Sequence, residues 1–126
     1  MAWCFADEAS AAIDALLDRT RDVGAIVPAL WHWEVANVIN GAVRRERLTV
    51  ADAGVRLNLL AALPIATDAE ATARAWRETL ALAQAQSLTA YDAAYLELAI
   101  RHGIELATSD TALRAAAGRV GVALLP

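Results

Sequence analysis

Cysteine occurs once, at Cys4, so the chain can form no internal disulfide and no zinc–thiolate cluster of its own. A reducing, cytoplasmic setting fits that count. Basic charge is also scarce: 11 arginines and no lysine stand against 15 acids, for a formal net charge of −4. That balance argues against binding nucleic acid by bulk attraction. It leaves room for an enzyme that grips phosphate through a metal held by acids. No apolar run approaches the roughly 20 residues that span a bilayer. No basic leader precedes an apolar stretch at the N-terminus. Neither a membrane protein nor a secreted one is expected, and internal repeats and low-complexity linkers are missing too.

What the chain has in quantity is apolar side chains: 58% of residues are hydrophobic and 21% charged, with alanine supplying much of the first figure. That is a globular composition. The 126 residues suit a single domain over 1–126 with its own core. Alanine has the highest helix propensity, so a helix-rich domain is expected.

Periodicity divides the chain. A first helix runs from Asp7 or Glu8 to about Arg21, packing Ala9, Ala12, Ile13, Leu16 and Leu17. Ala25, Ile26 and Val27 make a short buried strand, which Pro28 stops. Residues 30–45 form a helix so apolar that it should lie deep; Glu34 and Asn37, three apart, are its exceptions. Thr49 to Asp52 is a capping box, opening a helix that ends before Pro64. Residues 63–66 suit a strand start or edge. Thr67 with Glu70 reads as a second capping box, for a helix through Trp76 and Leu80 to about Ala85. Then comes SLTAYDAAYLELAIRHGIELATSD: a helix carrying Asp92, a stop at Gly103, a strand over 104–108, and Ser109-Asp110 capping a helix that ends at Gly118. Residues 120–125 read as a last buried strand. Helix and strand alternate, which implies an α/β fold, a three-layer α/β/α sandwich around a parallel sheet.

Parallel α/β folds place their sites beyond the carboxyl ends of the strands. Glu34 follows one strand by about two turns, Asp110 directly follows another, and Asp92 stands near a helix start on the sheet-facing side. Three carboxylates converging there would repel one another unless protons or a cation relieved them. Oxygen donors of this kind suit Mg2+ or Mn2+. Such a cation would activate a bound water against a phosphodiester. Asn37, Thr108 and Ser109 are placed to hold waters or orient a carboxylate. Each acid also has a quieter reading. Asp92 follows Thr89 by three and completes a capping box, Asp110 is an N-cap, and Glu34 with Asn37 begins the wet side of a helix. His32 and His102 read as packed or helix-end residues, and the tryptophans and tyrosines as core or interface anchors. Arg44, Arg45 and Arg47 read as a solvated corner, or as a contact for phosphate or an acidic partner.

The stretches VPALWHWEVANVI, LTAYDAAYLELA and GIELATSDTAL resemble the PIN-domain family, and within it the VapC-like toxins. The likeness covers almost the whole chain. It implies an α/β/α fold that cleaves RNA with clustered acids and Mg2+ or Mn2+. It also implies a homodimer, and an antitoxin chain that wraps the toxin. Glu34, Asp92 and Asp110 take the family's later acidic positions, and Thr108 or Ser109 the polar position beside the last. The family's first strand and its aspartate have no counterpart: MAWCFADEAS resembles only the segment that follows them, and Asp7 comes too late to replace that acid. Either the natural chain starts further upstream, or a partner chain or a rearranged N-terminus fills the place, or a toxin-like protein has lost catalysis. The expected function is a metal-dependent endoribonuclease, the toxin of a toxin–antitoxin pair. The alternatives are a catalytically weak or inactive PIN-like protein that binds an antitoxin-like partner, and a phosphatase or DNA nuclease built from the same acids.

Overall fold

The computed structural model describes residues 11–125. They form a mixed α/β architecture with a reduced, open sheet. In order the elements are α1 (Ala11–Val23), β1 (Ala25–Val27), α2 (Leu30–Arg44), α3 (Val50–Ala61), β2 (Ile65–Thr67), α4 (Ala71–Arg74), a π-helical turn (Ala75–Thr79), α5 (Leu80–Gln86), α6 (Ala90–His102) and α7 (Thr111–Val120). Asp7, the expected cap of the first helix, lies outside the described residues. No helix among those described is long and apolar enough to cross a membrane.

The described sheet pairs β1 with β2. The Ala25 N–H donates to the Pro64 carbonyl at 3.0 Å and the Asp68 N–H to the Val27 carbonyl at 2.8 Å. The register advances in the same direction along both segments, which is the parallel arrangement. Gly24 permits the close approach: its φ is +78°, and a Cβ there would lie 3.0 Å from the Pro64 carbonyl oxygen.

Two expected strands shrink to single residues. Within 104–108 only Leu106 bridges, in parallel, to Leu124. Thr108 explains the short reach. Its carbonyl accepts from Arg114 Nη1 at 2.9 Å and its hydroxyl from the Asp110 N–H at 3.1 Å, so local side-chain bonds hold backbone that a ladder would need. The strand expected over 120–125 loses its start because α7 continues through Gly118 to Val120. The helix stops at Gly121, whose φ of +77° takes the left-handed capping position.

The described residues fall into two compact units, 11–26 with 30–66 and 27–29 with 67–125. In the first, α2 packs on α3 around Val35, Ile39, Ala42, Ala53 and Leu60. Thr49 caps α3 as its sequence foretold, accepting from the Asp52 N–H at 3.1 Å. The deep helix expected for α2 is not found. Val35, Ile39 and Ala42 make its one buried stripe, and Trp33 is 75% exposed.

In the second unit α6 packs against α5, the π-helical turn and α7. Leu96, Ala99, Leu106, Leu113, Ala116 and Ala117 form its core. Small alanine side chains let α6 and α7 approach closely around the larger Leu96 and Leu113. Thr89 caps α6 through the Asp92 N–H at 3.1 Å, and Gly103 ends it in the left-handed conformation. The capping box expected of Thr67 and Glu70 does not form. Thr67 belongs to β2, and Asp68 Oδ1 instead accepts from the Glu70 N–H at 3.3 Å. The helix that follows starts at Ala71, and its π-helical turn leaves Trp76 91% exposed.

Leu96 is fully buried at the centre of the second unit. Leu96→Ala should lower stability by about 2–5 kcal/mol through lost contacts and a residual cavity. Urea titration followed by circular dichroism measures it. A loss below ~1 kcal/mol would mean that the alanine-lined core closes over the gap.

Candidate functional site

Glu34 and Asn37 are exposed on α2, in the first unit. Asp92 and Asp110 belong to the second. Asp92 is half-buried in the first turn of α6, where its backbone N–H is held by Thr89. Asp110 is exposed and caps α7, its Oδ1 accepting from the Leu113 N–H at 2.8 Å. That bond uses one carboxylate oxygen and leaves chemistry at the other compatible with capping. Thr108 meets Asp110 directly, through the 3.1 Å bond to its N–H, and Ser109 is exposed between them.

The oxygen donors are of the type that hard cations prefer. Among the described residues, no group of three or more His, Cys, Asp or Glu side chains is placed to hold a metal ion.

The second unit holds a charged cluster that sequence reasoning missed. Arg101 on α6 lies between two buried carboxylates. Its Nε meets Glu97 Oε1 at 2.9 Å and its Nη2 meets Glu97 Oε2 at 3.1 Å. The same guanidinium reaches Asp68, through Nη1 to Oδ1 at 3.2 Å and through a short Nη2 contact to Oδ2. Arg74 adds a second cation to Glu97, with Nε 2.5 Å from Oε1. His102 Nε2 lies 3.7 Å from Asp68 Oδ1, and Glu70 stands at the exposed edge, 3.4 Å from Arg101. The Asp68 and Glu97 side chains are only 5% and 7% exposed. Two-pronged pairing of this kind satisfies a buried carboxylate. The spacing of Glu97 and Arg101, four apart on one helix, was the readable signal. Nothing in the sequence tied Asp68 to it.

The hydrogen bond from Arg101 holds the Asp68 carboxyl below its ordinary range, against the upward push of burial. Burial pushes Glu97 up, but hydrogen bonds from Arg101 and Arg74 outweigh it and leave that carboxyl lowered too. Arg101 is held above its ordinary value by the bonds to Glu97 and Asp68. The cluster is enclosed and internally paired, which is the condition of a structural tie rather than a substrate site. It links the segment entering α4 to the C-terminal part of α6.

A second feature escaped the sequence because its residues read as core. In the first unit, α2 and α3 flank an open groove of about 650 Å³. Trp31, Val35, Ile39, Leu57, Leu60 and Ile65 supply apolar lining, with His32 and Asn40 as polar groups among them. His32 meets Trp31 edge-on, ring centroids 5.1 Å apart. An apolar surface with few polar groups is the common form of a binding groove.

The sequence profile of the PIN domain matches residues 1–119. The chain belongs to the PIN-domain family. None of the curated proteins matches it. Against that family background, the α2–α3 groove is an open apolar surface of the first unit, and the charged cluster is a buried tie in the second.

The sign of the charged cluster's pH dependence follows from the lowered carboxyls. Their stabilisation is complete above the unfolded-state values, near 3.9 for Asp and 4.3 for Glu. It is lost as pH falls through the lower folded values. Arg101→Met should cost about 3–5 kcal/mol at neutral pH, because two carboxylates remain buried without their shared partner. The gap between variant and parent should narrow toward about pH 3, as both carboxyls take up protons. Urea midpoints across that range measure it, and a gap independent of pH would contradict the assignment.

Proposed function

We propose that this PIN-domain protein acts chiefly by binding an antitoxin-like partner chain, with weak or no catalysis of its own. The observation that carries the reading is the open, apolar α2–α3 groove. An amphipathic helix or extended segment of a partner could lay apolar side chains into it, the usual logic of helix-in-groove recognition. Arg44, the last residue of α2, and Arg45 and Arg47 just beyond it are exposed and suit acids flanking such a segment. On this reading the chain is a VapC-like relative, and β1, β2 and the Leu106–Leu124 bridge are what it retains of the parallel sheet in a three-layer sandwich.

The second reading is a Mg2+- or Mn2+-dependent endoribonuclease toxin, working as a homodimer. Family membership favours it, as does the solvent access of Glu34 and Asp110 with half-buried Asp92. Those three would be the ligands, with Asn37, Thr108 and Ser109 orienting them. The cation would supply charge neutralisation and a more acidic bound water.

Two measurements on one preparation separate the readings. Co-expression with its antitoxin-like partner should give a stable complex, which Ala36→Arg, a charge placed on the groove lining, weakens by roughly tenfold or more. Structured RNA with manganese should be cut no faster by the parent chain than by Asp92→Asn. Cleavage that needs manganese and disappears in Asp92→Asn would establish the nuclease reading instead.

A further inference from the structure

The α2–α3 groove has a direction. On α2, His32, Ala36 and Asn40 are exposed on its lining at a spacing of four, and Arg44 continues the row. The short turn of residues 45–49 holds the start of α3 beside the end of α2. At that end Arg44, Arg45 and Arg47 stand against two acids, Glu46 and Asp52. Arg45 folds back along its helix, so that a Cβ at Gly41 would lie 3.0 Å from its Nη1. At the other end the balance reverses. Residues 57–66 carry no charge, and Glu34 is the one formal charge in residues 29–34.

The walls are helices, whose backbone groups bond within themselves. An extended segment laid on them would leave its own N–H and C=O groups unpaired, whereas a helix brings its backbone already satisfied. On α2 the lining runs from Trp31 to Val43. That is about 18 Å at the helical rise, the length of a helix of about three turns.

Gly54 marks where such a helix comes closest. It lies inside α3, four residues beyond Val50 and three before Leu57, both on the lining. Glycine inside a helix is destabilising relative to alanine. A Cβ at Gly54 would meet nothing within 4 Å. The packing around α3 therefore does not call for the glycine, and a closely crossing partner does.

We infer that the partner chain enters the groove as an amphipathic helix, acidic in its first turn, which starts beside Arg44 and crosses α3 closely at Gly54. The inference rests on reading that groove as a docking surface. Acids in the first turn complement both the arginines and the partner helix's own dipole, so the helix runs antiparallel to α2.

The probe is a displayed library of helices of about 15 residues, with a fixed leucine seam and randomised end turns. Members that bind the parent chain and are lost with Ala36→Arg should be richer in Asp and Glu in the first turn than in the last. For the tightest of them, made as a free peptide, Arg44→Glu should weaken binding roughly tenfold. Gly54→Ala and then Gly54→Leu should weaken it progressively, while Gly54→Ala raises the urea midpoint of the chain alone. That rise separates a blocked approach from a misfolded chain. Groove-dependent binders without acidic first turns would overturn the inference and leave the partner-binding reading standing. Unchanged affinity for Gly54→Leu, or a lowered midpoint for Gly54→Ala, would overturn it in the same way. A library without any binder sensitive to Ala36→Arg would sink both. Self-association of the chain that Gly54→Leu abolishes would give the groove to a second copy, and the inference would fall.

Discussion

Strands of three residues each leave the β1–β2 sheet with few ladder bonds, so packed helices must hold this protein together. Each unit meets that constraint differently. The first sets α2 on α3 along a single stripe of Val35, Ile39 and Ala42, which leaves much of α2 facing outward. The second surrounds α6 with other helices and buries Leu96 among alanines. A helix packed along one stripe has apolar surface to spare, and the groove is where the first unit presents it.

Charge does in the second unit what a longer ladder would otherwise do. Asp68 follows β2 directly, and the Arg101 guanidinium ties it to α6. Burying two carboxylates is costly unless the cations are well placed, and here Arg101 serves both acids while Arg74 serves Glu97 again. The lowered carboxyls are the consequence of that geometry. Their enclosure also separates them in role from Glu34, Asp92 and Asp110, which keep access to water.

Local rules made part of this legible in sequence. Thr49, Thr89 and Asp110 cap the helices they were expected to cap, because a hydroxyl or carboxylate three residues before a free N–H has a short-range partner whatever the rest of the chain does. Gly103 ends α6 for a similarly local reason. What failed depended on distant residues. Thr67 went to a strand because β1 was available to pair with β2, and Thr108 left the ladder because Arg114 and Asp110 claimed its oxygens. The apolar count of α2 could not say how many of its sides would find neighbours. Of the candidate site, the caps made by Thr89 and Asp110 were readable, whereas the Asp68–Arg101 link spans 33 positions and has no periodicity to betray it.

A PIN domain whose apolar groove is its working surface should reveal that surface when a partner chain binds. Hydrogen–deuterium exchange of the chain alone and in complex is the most direct measurement. The account predicts slowed exchange along residues 31–43 and 50–61, with little change around Asp92 and Asp110. Slowing confined to residues 89–92 and 108–113, with α2 and α3 unaffected, would contradict it.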